Sequence, residues 1–250
     1  TIYIVSTIQA KVVNNVVMFV LLCCCYLMKQ YKTVLAFGDS HTAGCELASV
    51  NTLEEYLQGT VTLEQADDPG KKLAYPQKLA DLLGIPCENY ALTGGSNERS
   101  LRKLIENIQD DCIVLFGYTS PDRREFFYPD EGLFLGRDND NYIQTGVQWT
   151  GMIDIATKSS PMTHPINNEY LNIVRHKDNI DAVQNFVSAI CTAHNCKVMD
   201  IALCETQNPM FNYLDWCRSE NYKQLPYLHY EEQAHNRLAE KLWLTIGDIT

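Results

Sequence analysis

Apolar residues along the chain fall into short runs separated by segments with a helical period. The runs at 34–37 and 112–117 are uninterrupted, whereas those at 85–92 and 197–203 contain polar positions. Short apolar runs bounded by turn residues are typical of strands that are buried on both faces of a parallel sheet. These four segments are therefore the predicted core strands.

Between these runs, apolar residues recur at the spacing of amphipathic helices. The spacing predicts helices over 75–83, 101–108, 170–190 and 231–244, and a helix that begins at about 41. Gly84 directly follows the first of the longer helices, where glycine commonly ends a helix. We interpret 204–228 as a loop, and the segment after the first helical turn as an acidic loop ending in Asp67-Asp68-Pro69-Gly70.

Strand and helix alternate from residue 33 to residue 246. This alternation predicts an α/β fold with three layers, in which a central parallel sheet carries helices on both faces. Residues 121–168 are aromatic, charged and without a clear period, so we expect them to form an insertion. The chain shows no internal repeat and no second domain.

The first 27 residues differ in composition from the rest of the chain. Residues 16–28 form an apolar run that is shorter than the roughly 18 residues a membrane span needs. We expect residues 1–27 to be an apolar leader or an upstream translated segment outside the core, and 28–250 to form a single domain. The alternative is export, or membrane association through residues 12–28, aided by lipid on Cys23 to Cys25.

The charge argues against one class of partner, and the cysteine content bears on the location of the protein. The net charge of −11 argues against a nucleic-acid partner, because such a partner requires basic surface. The ten cysteines are scattered, with no Cys-x-x-Cys pair, which favours reduced thiols and a cytoplasmic location. Cys191, His194 and Cys196 match no standard zinc spacing, so no metal is assigned. Nothing in the composition indicates the oligomeric state.

Gly38-Asp39-Ser40 is the strongest candidate for chemistry. It directly follows the strand at 34–37, so the Ser40 hydroxyl is expected at the carboxyl edge of the sheet, where open α/β folds place their sites. The Ser40 N–H is expected at a helix N-terminus, where negative charge is stabilised. A nucleophile needs both features. The alternative is that Asp39 and Ser40 only cap the helix.

Two further turns and a histidine segment are expected at the same edge. Gly94-Gly95-Ser96-Asn97 and Gly117-Tyr118-Thr119-Ser120 each follow a predicted strand, and the carboxyl ends of parallel strands share an edge. His229 precedes the last predicted helix and can lie over this edge, although it can equally be an ordinary residue of the helix start. We expect His235 to pack structurally and His41 to point away along its helix.

These residues together resemble the SGNH, or GDSL-type, hydrolase superfamily over roughly residues 33–245. Gly38-Asp39-Ser40 is similar to the first sequence block of that family, and Asn89 to Gly94 is similar to the second. His229 and His235 match the histidine spacing of its fifth block. The third-block variant Gly117-Tyr118-Thr119-Ser120 is similar in style to SGNH-like proteins of bacteriophages and environmental bacteria.

This resemblance implies a flavodoxin-like SGNH hydrolase fold and a serine hydrolase mechanism. Ser40 would be the nucleophile and His229 its base, with the N–H groups of Ser40 and Gly94 in the oxyanion hole. The family needs no metal or organic cofactor. The expected function is therefore a serine esterase that acts on a small-molecule or glycan ester, such as an O-acetyl group.

Two positions depart from the pattern of the family. Thr119 stands where the family has an asparagine that donates to the oxyanion, so Thr119 or Asn97 is expected in that role. Pro226 stands where the family has the aspartate that orients the histidine. A Ser-His dyad, a backbone carbonyl, or an acid from elsewhere, such as Asp215 or Glu220, remains open.

These departures favour an alternative function, a catalytically silent glycan-binding or virion-associated module on the same scaffold. A flavodoxin-like nucleotide binder is a weaker alternative, because the first turn carries neither Gly-x-Gly-x-x-Gly nor Gly-Lys-Ser/Thr. Arg123 and Arg124 are interpreted either as ligands for an anionic substrate or as part of a solvated, salt-bridged loop.

Overall fold

Strands and helices make up most of the residues that the structure, a computed structural model, describes: 31–48, 63–120, 123–127, 142–145, 178–204, 211–225 and 229–247. The strands are β1 Thr33–Phe37, β2 Cys87–Asn89, β3 Cys112–Tyr118, β4 Arg124–Phe127, β5 Tyr142–Thr145, β6 Lys197–Ala202 and β7 Phe211–Asn212. The helices are α1 Ser40–Ala43, α2 Leu63–Lys71, α3 Tyr75–Leu83, α4 Asn97–Asn107, α5 Asp178–Ala193, α6 Tyr213–Ser219 and α7 Glu232–Gly247.

Five strands form one parallel sheet in the order β2-β1-β3-β6-β7. The remaining two, β4 and β5, pair antiparallel as a separate ribbon within the expected insertion. Without that ribbon, the spatial order is the 2-1-3-4-5 order of flavodoxin-like folds. The predicted parallel sheet is therefore confirmed.

The strands bury alternate residues in two separate cores. On one face, Val34 and Ala36 of β1 join a core that α3, α6 and α7 complete. On the other face, Leu35 and Phe37 join a core with α4 and α5. Because successive side chains of a strand point to opposite faces, this division follows from the apolar runs. The three-layer α/β/α arrangement is thus confirmed.

The prediction of a loop ending in Asp67-Asp68-Pro69-Gly70 is wrong, because α2 includes these residues. The buried Asp67 carboxylate accepts hydrogen bonds from the Thr93 N–H and hydroxyl, both at 2.6 Å. Gly70 packs against the backbone of Gly44 so closely that a side chain on either glycine would collide with the other's carbonyl oxygen. These distant contacts outweigh the local turn signals.

Helix ends differ from the predictions where side chains cap them. Helix α4 begins four residues earlier than predicted, because the Ser96 hydroxyl accepts the Arg99 N–H. The expected loop over 204–228 contains β7 and α6, and the Asn212 side chain caps α6 by accepting the Asp215 N–H. The prediction for 75–83 is confirmed, with Gly84 in the left-handed region at φ 67°.

Several expectations concern residues outside the described part of the chain. The leader at 1–27, the anchor at 12–28 and residues 170–177 of the third long helix lie there. The insertion at 121–168 is described only at 123–127 and 142–145. Among the described helices, none combines the length and the apolar character needed to cross a membrane.

Candidate active site

The three polar turns meet at the carboxyl ends of β1 and β3. These strands run parallel and pair up to Phe37 and Phe116, so the turns that follow them are neighbours. The turn after β2 joins them because the Leu92 N–H donates to the Gly38 carbonyl at 3.2 Å. The structure thus brings the residues expected to act on substrate to one edge of the sheet.

Ser40 is the first residue of α1. The helix ends at Gly44, at φ 74°, whose N–H donates to the Ser40 carbonyl. The Ser40 N–H lies in the first turn, where backbone N–H groups have no partner within the helix. The serine is 3% exposed, and its hydroxyl makes no hydrogen bond with any described residue.

Asp39 connects this turn to its neighbours. Its buried carboxylate accepts the His41 N–H at 3.0 Å, the Thr119 hydroxyl at 2.8 Å and Arg123 Nη1 at 2.6 Å. Burial alone raises the pKa of Asp39, but the Arg123 charge and the other contacts outweigh it and hold the pKa below its usual range. Arg123 therefore forms a salt bridge, as the second interpretation expected, but with a buried carboxylate and not in a solvated loop.

Two of the expected oxyanion donors, Asn97 of the second turn and Thr119 of the third, hold each other in place. The Asn97 Nδ2 donates to the Thr119 carbonyl at 3.0 Å, and Oδ1 accepts the Thr119 N–H at 2.9 Å. The Thr119 hydroxyl has one proton, which it donates to Asp39, so the expectation that it serves an oxyanion does not fit. Asn97 keeps a second amide proton, and both residues are buried.

Gly94 lies in a tight turn that only glycine adopts easily. The Gly95 N–H donates to the Leu92 carbonyl at 2.8 Å, and Gly94 has φ 76°, as the third residue of a type II turn requires. The hydrogen bonds from Thr93 to the Asp67 carboxylate fix the position of this turn. A side chain built on Gly94 would meet no atom within 4 Å, so the space beside this glycine is open.

His229 lies beside the residues that follow Ser40. Its ring centroid is 4.8 Å from that of His41, the residue after Ser40, so His41 does not point away from the site as expected. His229 Nδ1 is 2.6 Å from Glu46 Oε2, and both side chains are 6% exposed. The His229 N–H donates to the same oxygen at 3.4 Å. No hydrogen bond joins Ser40 and His229 in the part of the chain described.

Glu46 is not among the acids expected from the sequence. Of those, Asp215 instead pairs with Arg218 at 3.0 Å on the surface, and Glu220 lies exposed at the end of α6. The available signal is Gly44, which ends α1 in the left-handed conformation after a single helical turn, so that Glu46 lies outside the helix.

His235 is a buried structural residue. Its Nδ1 accepts the Tyr75 N–H at 3.2 Å, and its Nε2 lies 3.5 Å from the Tyr213 hydroxyl. His235 thereby accepts a backbone N–H at the start of α3 that has no acceptor within the helix, and the N-cap residue Ala74 has no side-chain acceptor to offer. Burial lowers the pKa of His235 to about 3, so the ring is neutral at physiological pH.

Comparison with known proteins gives similarities at the level of solved structures only. No protein-family model matches the chain, and no curated protein matches it. One similar structure is described as a carbohydrate esterase whose active site displays divergent catalytic and non-catalytic binding functions. It has 14% sequence identity and a TM-score of 0.44, and the match covers 86% of this chain and 68% of that one.

Two further structures are similar to this chain. One is a putative lipolytic protein of the G-D-S-L family from Desulfitobacterium hafniense DCB-2, with 11% identity, a TM-score of 0.33, and coverage of 85% and 98% of the two chains. The other is phospholipase A1 from Streptomyces albidoflavus NA297, with 12% identity, a TM-score of 0.33, and coverage of 86% and 73%. The chemistry proposed for this chain rests on its own residues.

Proposed function

We propose that this chain is a serine ester hydrolase in which Ser40 is the nucleophile and His229 the general base. The observation that carries the proposal is the placement of the two residues. Ser40 begins α1 at the carboxyl edge of the sheet, and the His229 ring packs against His41, the next residue. Catalytic hydrogen bonds are often long before substrate binds, so the missing Ser40–His229 bond is compatible with this role.

The proposed reaction uses only groups of this chain and water. His229 takes the hydroxyl proton as Ser40 Oγ attacks the acyl carbon, and returns it to the leaving alcohol as the ester bond breaks. Water then attacks the acyl-serine and gives a proton to His229, which passes it to Ser40 Oγ as the acyl–oxygen bond breaks and the acid is released. No described residue other than these two is required to change its protonation state.

The oxyanion would be held by the N–H groups of Ser40 and Gly94 and by the second amide proton of Asn97. The open space beside Gly94 leaves room for the acyl oxygen there. Because Thr119 fixes the Asn97 amide at both ends, this donor needs no reorganisation during the reaction. Removal of one donor of this kind typically raises the barrier by about 2.7–4 kcal/mol.

We propose a short acyl ester as the substrate, such as an O-acetyl group on a small molecule or a glycan. Ser40 is 3% exposed, which suits a slender acyl group better than a long chain. The aromatic residues after β6 give no support for stacking on a sugar. Phe211, Trp216 and Tyr222 pack against one another and against the core beneath α7.

Hydrolysis of p-nitrophenyl acetate by the full chain, compared with Ser40→Ala and His229→Ala, tests the proposal. Wild type should turn over the ester, and either variant should lose about 10³-fold or more in kcat. Release of acetate from an acetylated oligosaccharide then tests the substrate class. Equal rates for wild type and Ser40→Ala would overturn the hydrolase and leave the silent glycan-binding module.

A further inference from the structure

Glu46 is the carboxylate in contact with His229. The two side chains meet at 2.6 Å, and each is 6% exposed. We propose that Glu46 is the positioning residue that orients His229 for proton transfer with Ser40. The inference rests on the proposed function. It adds that the orienting acid comes from the residues just after α1, the helix that begins with Ser40, and not from the residues just before His229.

The contact selects one form of the imidazole ring. A carboxylate can only accept hydrogen bonds, so the proton between the two groups must be on His229 Nδ1. This leaves the lone pair on Nε2, which is then the nitrogen able to take a proton from a serine hydroxyl. Without Glu46, the neutral ring would be free to exchange to the other tautomer, in which Nε2 is already protonated.

The same carboxylate oxygen also accepts the His229 backbone N–H, at 3.4 Å. One oxygen therefore fixes both the ring and the backbone of this residue. Because the pair is largely removed from water, the carboxylate also stabilises the imidazolium that forms when His229 takes the proton. Asp215 and Glu220, the acids considered from sequence, have no such contact.

The backbone at Glu46 adopts a conformation that glycine would adopt more easily. Glu46 has φ 70°, in the left-handed region that favours glycine. A non-glycine residue persists in this conformation when the surroundings determine it, and such residues concentrate at functional sites. Local conformation alone would be satisfied better by glycine, so Glu46→Gly is a variant that the backbone tolerates and that lacks the carboxylate.

The first test measures kcat and KM for p-nitrophenyl acetate in Glu46→Gln and Glu46→Gly. We expect kcat to fall by about 10²–10⁴-fold while KM stays within about threefold, because the ester does not touch Glu46. Glu125→Gln is the matched control, since Glu125 is equally buried and pairs with Arg102 at 2.6 Å. In a His229→Ala background, Glu46→Gln should cause no further loss.

Wild-type kcat in both Glu46 variants would overturn the inference. An equal fall in the Glu125→Gln control would do the same, because the effect would then be a general result of removing a buried carboxylate.

The second test needs no substrate. Nitrogen-15 NMR of labelled histidine at mildly alkaline pH should show the Nδ1–H tautomer for His229 in wild type and lose it in Glu46→Gly. The Nε2–H tautomer in wild type, or no change in the variant, would overturn the inference. If the tautomer is as expected but Ser40→Ala retains wild-type turnover, the hydrolase fails and Glu46 stands as the group that orients His229.

Discussion

The Arg123 guanidinium and the Asp39 carboxylate form a buried ion pair at 2.6 Å, directly beside Ser40. Arg123 precedes β4, the first strand of the expected insertion, whereas Asp39 follows β1. The pair therefore ties the inserted ribbon to the turn that carries the candidate nucleophile.

Arg123→Met should destabilise the protein strongly. Removal of the cation leaves the Asp39 carboxylate buried without its charge partner, and breaking a buried pair in this way costs about 3–5 kcal/mol. The matched control is Arg218→Met, because Arg218 and Asp215 form a pair on the surface that is more than half exposed. Exposed pairs contribute about 0–1 kcal/mol. Urea unfolding compares the two, and equal losses would contradict the prediction.

Asn97→Ala should lower both stability and activity. The Asn97 amide makes two hydrogen bonds to the Thr119 backbone and is the proposed oxyanion donor. We expect kcat to fall by about 10²–10³-fold. Asn212→Ala is the control, since that amide also makes two backbone hydrogen bonds, to Cys204 and Asp215. The free energy of unfolding of Asn212→Ala should fall while its kcat stays near that of wild type. A fall in kcat similar to that of Asn97→Ala would rule out a specific role for Asn97.

Gly94→Ala should impair the reaction beyond its effect on the fold. The residue has φ 76°, so alanine costs roughly 1–2 kcal/mol in stability, and its methyl group enters the open space proposed for the acyl oxygen. Gly84→Ala is matched in backbone, at φ 67° with open space around it, but it ends α3. Both should lower the melting temperature alike. Only Gly94→Ala should lower kcat/KM, and unchanged kcat/KM would exclude the proposed site.

His235 should make the fold sensitive to acid. Its pKa is lowered to about 3 by burial, so between pH 6.5 and 3 the unfolded chain binds a proton that the folded chain does not. Stability should therefore fall as the pH falls through this window, by about 1.4 kcal/mol per pH unit from this residue. Denaturant unfolding across the window should show a flatter dependence for His235→Gln. A dependence as steep as that of wild type would contradict the assignment.

The layers of the fold were predictable because the burial of a strand on both faces of the sheet is visible in its local sequence. A strand such as β3 must be apolar at almost every position, and α3 must end where Gly84 adopts the left-handed conformation. The alternation of strands and helices predicted the parallel sheet and the helices on both of its faces, because parallel strands need crossover connections. The turn carrying Ser40 was identified for the same reason, since it directly follows an uninterrupted apolar run.

Contacts between distant parts of the chain were not visible in the local sequence. Asp67 joins a helix because it bonds to Thr93, although its neighbours Pro69 and Gly70 indicate a turn. The Thr119 hydroxyl matches a donor position in sequence, yet it is engaged by Asp39.

By itself, the sequence determined that β1 and β3 are core strands and that polar turns follow them, and so which side chains share one edge of the sheet. Only the tertiary structure decided that Glu46 meets His229 at that edge. The physical reason is range. Periodicity and turn chemistry reflect interactions within a few residues, whereas a hydrogen bond across the fold depends on how several elements pack together.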